Sequence, residues 1–323
     1  MAKGSHVDLA RRGRLEIDRW REGHPYDHLD LTGADLSGID LSSAVLAHAL
    51  LSDCQFIDAK LDGVDLSNSH LVGARFDKAS LRRANFTAAL MTNVSLVKAQ
   101  MEEATLTDAD LSWAQANCAT LTNSVLTRAD LINADFSSAD LTNAQLGECD
   151  LISTVLNDAC LKHAHLVKAR LINTQAERAD LSGAALTDAH VVGVNFRSAN
   201  LTGINLSEAC LSDLTQAILR DADLTDCRLI DSIFCKADLR GADLDNADLR
   251  GCDLREISLN ETKSVRGILL DHASVSDEKF LAALAVSKTP PEGCDELTEL
   301  WFVTSRGDPK SLVLQRRPVD PGI

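Results

Sequence analysis

From Leu31 to Leu211 an apolar side chain returns at every fifth residue. The series begins Leu31, Leu36, Leu41, Leu46, Leu51, Phe56, Leu61, Leu66, Leu71, Phe76, and of its 37 positions only Ala116 and Ala176 are small. A period of five matches neither the 3.6 of a helix nor the 2 of a strand. Two residues before each apolar centre a small residue usually stands, as at Ala34, Ala44, Ala49, Cys54, Ala59 and Ala74. Small residue and centre are two apart, so they share one face of a short extended segment. The other positions are mostly polar. Each unit is therefore expected to be a brief strand followed by a turn, with the turns winding the chain so that every centre points to a common axis. That is a solenoid, whose coils bury one another.

The residue between the small one and the centre is often Asp or Asn, as in Ala34-Asp35-Leu36 and Ala199-Asn200-Leu201. This A(D/N)LXX pattern resembles the pentapeptide-repeat family over about residues 29–270. The resemblance implies an all-β solenoid, a right-handed quadrilateral β-helix with four units per coil. The centres then fill about 11–12 coils, or ~55 Å at the strand spacing of ~4.8 Å. The register breaks once: Leu211 is followed by Leu214, then Leu219, Leu224 and onward to Leu259. Residues 212–218 are expected to absorb this two-place shift in a bulge, loop or kink.

With four units per coil, residues 20 apart stack. Phe56, Phe76, Phe136 and Phe196 fall in one such class, with Phe86 two units away, and all read as core. Asp110, Asp130 and Asp150 form an exposed ladder of like charges, and Asp238, Asp243, Asp248 and Asp253 run around one coil. These seven are the candidate contacts for a basic partner.

Solenoid ends expose apolar surface and need covering. Residues 7–22 read as one mixed-charge helix within an N-terminal cap, 1–28, whose Leu9, Ile17 and Trp20 are placed to cover the first coil. Residues 271–323 read as a C-terminal helix plus tail, a cap or dimerisation element. The helix starts at Ser276-Asp277-Glu278 and stops before Pro290-Pro291. Beyond it, Leu300–Val303 and Leu312–Leu314 suit a hairpin, with a helix through Glu296–Phe302 as the alternative.

Charge and composition narrow the function. The net charge is −16, and no basic run or long apolar segment appears, so direct binding of nucleic acid or membrane is disfavoured. Nine cysteines without C-x-x-C spacing suit reduced thiols in a cytoplasmic protein. Cys54, Cys149, Cys227 and Cys252 occupy the inward small position, and His163 and His165 make no metal set by themselves. No phosphate loop, zinc motif or nucleophile elbow is present. A filled solenoid also offers no pocket for convergent groups. The expectation is a non-catalytic interaction or scaffold protein without cofactor or metal.

The family resemblance adds an alternative: a DNA mimic that binds a type II topoisomerase, DNA gyrase or topoisomerase IV, and gives quinolone or toxin resistance or self-immunity. Residues 29–270 carry net charge −14, about one charge per ~4 Å, against one per ~1.7 Å in B-DNA. A secreted bacterial effector is a third reading, and a homodimer through a terminal segment is open.

Overall fold

The computed structural model describes residues 4–25, 27–204, 214–259, 261–276, 280–281, 301–305 and 312–316. The chain forms two compact units, Met1–Gln175 and Ala176–Ile323.

The first unit opens with two helices, α1 (Gly4–Arg11) and α2 (Arg14–Gly23), where the sequence suggests one. Gly13 separates them with φ 92°, a backbone that only glycine adopts without strain, so the helix cannot run through it. Ala10 and Ile17 are fully buried, while Leu9 and Trp20 are half-buried. Trp20 stacks on His24 at 4.8 Å and meets the edge of His6 at 5.1 Å. Arg21 ties these helices to the coil by donating to the carbonyls of Asp27 and Ala47.

From Asp30 onward the unit is built from parallel bridges between residues 20 apart: Asp30 to Leu50, Asp35 to Gln55, Asp40 to Lys60, Val45 to Asp65, and so on to Val155 and Gln175. Bridge residues are five apart, so four fall in each 20-residue coil. One unit shows the bonding. Leu36 N–H donates to the Gln55 carbonyl, Gly38 to Ile57, and Gln55 back to Ala34, at 2.8, 2.8 and 2.9 Å. The Ala34 N–H closes the turn on the Leu31 carbonyl at 2.8 Å. The extended segments are shorter than strands. One bridge residue is all that fits before the next turn begins, so β1 (Arg170–Ile172) is the only named strand among the described residues of this unit.

Each turn places its second residue in the left-handed region, as in a type II turn. Gly33 and Gly38 do this at φ 71° and 66°, but so do Lys98, Glu103 and Trp113 at 59°, 61° and 63°. The N–H of that residue is held by the next coil, as in Trp113 N–H to the Ile132 carbonyl at 2.9 Å. Stacking thus imposes a backbone that the side chain itself disfavours.

The centres and small residues fill the interior. Leu31, Leu41, Leu51, Phe56 and Phe76 are completely buried, each such side chain contributing roughly 1.5–3 kcal/mol before its ordering cost. Phe56 stacks on Phe76 at 4.9 Å, and Phe86 meets Phe76 edge-on at 6.0 Å. Polar replacements at the small position satisfy themselves on backbone: Ser124 Oγ donates to the Leu121 carbonyl and Thr154 Oγ1 to that of Leu131.

The second unit contains β2 (His190–Val192), β3 (Ser274–Val275), β4 (Trp301–Ser305) and β5 (Leu312–Arg316). Its bridges keep the 20-residue step from Asp180 to Asn200 and from Ile218 to Asp238. Between them, Asn200 bridges Ile218, only 18 residues on. The two-place register shift is therefore a coil shortened by two residues, and stacking resumes at once. Residues 205–213 lie outside the described ones, as does any loop there. A second change leaves no mark on the five-residue spacing of the centres up to Leu259. Asp243, Asp248 and Asp253 bridge Ser264, Leu269 and Ser274, each 21 residues on. Leu259 is buried at its expected place, and the extra residue falls between it and Val265.

The tail forms the hairpin. β5 lies between β3 and β4, antiparallel to both, with Ser274 opposite Val313 and Val303 opposite Leu314. Trp301, Val313 and Leu314 are buried. Residues 301 and 302 are therefore strand, and the helical alternative through them is set aside. Of the helix expected after Ser276, only Phe280 and Leu281 are described, and both are helical. The rest lies outside the described residues.

Candidate protein-interaction surface

The aspartate before each centre has a local task. Its carboxylate reaches forward to the N–H two residues on and fixes the following turn, an Asx-type contact. Asp35 accepts from Ser37, Asp135 from Ser137 and Asp180 from Ser182, the latter two also taking the hydroxyl. The forward Ser or Thr was the sequence signal for this role.

The ladder is real as a column. Asp110 bridges Asp130, and Asp130 bridges Asp150. All three are half-buried rather than exposed. Asp110 accepts the Ser112 N–H at 2.9 Å, the Ser112 hydroxyl, and the Thr92 hydroxyl at 2.8 Å. Burial would push its carboxyl pKa up, but the Ser112 and Thr92 hydrogen bonds outweigh this and hold it below the usual range. Asp130 accepts the Ile132 N–H at 2.9 Å. Asp150 differs, since Arg170 Nη1 donates to both its oxygens at 2.8 and 2.9 Å.

The acids of the later coil are each matched by a cation. Arg240 grips Asp238 through Nε and Nη2 at 2.8 and 2.6 Å, and Arg220 adds a third contact at 2.6 Å. Arg250 holds Asp248, and Arg255 holds Asp253, with the same two-pronged geometry and distances. Lys263 pairs with Asp243 at 2.8 Å. The carboxyl pKa values of Asp248 and Asp253 are lowered, chiefly by these arginine hydrogen bonds. The sequence signal for these pairs is the spacing Asp-Leu-Arg at Asp238, Asp248 and Asp253.

Groups able to do chemistry stay apart. Among the described residues no group of His, Cys, Asp and Glu could hold a metal ion. The described cysteines are free thiols, and burial pushes Cys54, Cys149 and Cys252 up to about 12, which keeps them protonated and unreactive. A surface hollow near Ser43 and Gly63 is lined by the ion pairs Arg82–Glu102 and Arg83–Glu103 at 3.4 and 2.9 Å. Among the described residues no helix is long and apolar enough to cross a membrane.

Apolar side chains do reach the surface. Trp113 is 55% exposed, and Leu90 and Val72 are 42% and 40% exposed. Ile132 and Ile152 are half-buried on successive coils of the same unit.

Comparison with known proteins agrees with this construction. The family model for pentapeptide repeats matches residues 104–143, 134–173, 177–213 and 217–256, and the model for a pentapeptide repeat region matches 29–106. Among solved structures, the chain is similar to HetL, a pentapeptide repeat protein involved in heterocyst differentiation regulation from the cyanobacterium Nostoc sp. strain PCC 7120. Identity is 28% over 70% of this chain and 94% of that one, with a TM-score of 0.29. It is also similar to full-length QnrB1, a plasmid-mediated fluoroquinolone resistance protein, at 18% identity over 73% of this chain and 91% of that one, TM-score 0.23. A third is the pentapeptide repeat protein Rfr23 from the cyanobacterium Cyanothece 51142, at 28% identity over 42% of this chain and 64% of that one, TM-score 0.19. No curated protein matches. With repeat models matched over most of its length and a bridge at every fifth residue, the chain belongs to the pentapeptide-repeat family.

Proposed function

We propose that this chain is a non-catalytic, cytoplasmic interaction protein that presents side chains from its coils to a basic protein surface. The observation that carries this is the 20-residue stacking: each outward position recurs one coil later at a fixed pitch, while the interior is filled. A surface of that kind supplies repeated contacts rather than a reaction centre. The net charge of −14 over residues 29–270 favours a basic partner and speeds its approach. In the same reading the coils wind right-handed, as the family implies. Segments 1–28 and 271–323 serve as caps, the latter also offering a site for homodimerisation.

The second reading names the partner as a type II topoisomerase, on the strength of that acidic balance. Two assays separate the readings. Affinity capture on the immobilised full chain is expected to retain a basic protein that elutes as salt rises. A supercoiling assay with DNA gyrase and topoisomerase IV, with and without a fluoroquinolone, tests the second reading. Salt-sensitive inhibition or protection supports it, and no effect removes it. A chain that retains no protein at low salt contradicts the first reading.

A further inference from the structure

We infer that the partner docks on one side of the first unit, over the strip formed by Leu90, Trp113, Ile132 and Ile152. We further infer that the bound element is an extended protein segment in which arginine or lysine alternates with aliphatic residues. This rests on the protein-binding reading above and adds the face and the chemistry of the occupant.

Trp113 is the anchor. It sits at the left-handed turn position with φ 63°, where most neighbouring turns carry Gly, Asn, Asp or a charged residue, and it is 55% exposed. The neighbouring turns share that backbone, so what sets Trp113 apart is the large apolar area that it leaves uncovered. Its N–H is bonded to the carbonyl of Ile132, and the N–H of Asn133 to the carbonyl of Ile152, so the tryptophan and the two isoleucines follow one another on consecutive coils. Leu90 precedes them, bridged to Asp110.

Charge selects the occupant. Beside this strip runs the column Asp110, Asp130, Asp150, and its members differ. Asp150 is neutralised by Arg170. Asp110 and Asp130 receive hydroxyl and amide hydrogens from Ser112, Thr92 and Ile132, with free carboxylate capacity left over. The other acids singled out, Asp238, Asp243, Asp248 and Asp253, each already hold a cation. The strip therefore combines an exposed indole, aliphatic side chains and two uncompensated carboxylates one coil apart. A guanidinium satisfies both features at once, pairing with a carboxylate and lying over the indole face. A second coil-bearing copy of this acidic chain would set carboxylate against carboxylate. An anionic lipid surface or a nucleic acid would be repelled.

The test uses the full chain and a fluorescein-labelled twelve-residue peptide of alternating arginine and leucine, followed by the fluorescence anisotropy of the peptide, a readout that survives loss of Trp113. Saturable binding with a rise of anisotropy is expected. It should weaken at least tenfold in Trp113→Ala and in the pair Asp110→Asn with Asp130→Asn, and be unchanged in the charge-matched pair Asp35→Asn with Asp40→Asn. Peptides with Glu for Arg, or Ser for Leu, should not bind. Equal weakening by both aspartate pairs, or no effect of Trp113→Ala, overturns the assignment of the face while leaving protein binding intact. A dimer by light scattering that the Trp113→Ala change dissolves would overturn it in favour of a second copy. Circular dichroism of each variant reports that the coil is retained.

Discussion

The Oδ1 of Asp231 lies 2.1 Å from the point where a Cβ on Gly251 would stand. The two residues occupy the left-handed position of equivalent turns 20 apart, and the carboxylate of the earlier coil leans over the later one. The same pairing recurs at Asp221 with Gly241 and at Asp53 with Gly73, where the distances are 2.1 and 2.6 Å. Glycine suits these turns by its backbone freedom at φ 69–73°, and an added Cβ would in addition oblige the carboxylate of the neighbouring coil to move.

That relationship predicts non-additivity. Gly251→Ala should destabilise by more than the roughly 1–2 kcal/mol of an L residue in the left-handed region, since φ is 73° and the carboxylate must also move. Adding Asp231→Gly should recover the second part of the loss. A double-mutant cycle by urea denaturation measures it; strictly additive effects would contradict the contact.

The aromatic cluster predicts a large core effect. Phe76→Ala removes the stacked contact to Phe56 and the edge contact to Phe86 in a completely buried site. The expected loss is about 3–5 kcal/mol, read from the denaturation midpoint of the first unit.

The interior thiols predict alkaline instability. Cys54, Cys149 and Cys252 are raised from about 9 to about 12 by burial. The folded state therefore holds protons that the unfolded state releases. Stability is full below pH ~9 and falls as pH rises toward 12. Replacing the three with Ala should move the alkaline midpoint upward. Below pH 9 the native protein should label at exposed Cys118 and spare these three.

The arginine pairs predict a small acid effect. Asp248 and Asp253 are lowered in the folded state, so their contribution is present above the ordinary carboxylate pKa of ~3.9 and lost as pH falls below it. The arginines are half exposed, so Arg250→Gln or Arg255→Gln should lower stability only slightly. That difference should disappear at pH 2 and shrink in high salt.

Much of this fold was legible because its core has a period of its own. Leu36 with Ala34, or Phe56 with Cys54, declares the inward face directly. What a stacked neighbour decides was not legible. Trp113 and Glu103 adopt left-handed backbone because the next coil holds their N–H groups, against their own preference. The 21-residue coil stayed hidden because Leu259 keeps the five-residue spacing and the extra residue follows it. Gly13 was visible, yet its splitting of the N-terminal helix needed the backbone angle. At the surface, Asp110 and Asp248 look alike in sequence until Ser112 and Arg250, two residues on, are counted with them.

The central claim is that the coil surface binds protein. Its most direct test is photocrosslinking in the cells that make the chain, with a reactive side chain placed in turn at positions 95, 105, 120 and 132, one for each side of the coil. The account predicts a discrete protein adduct from position 132 and little from the other three. No adduct from any of the four would contradict it.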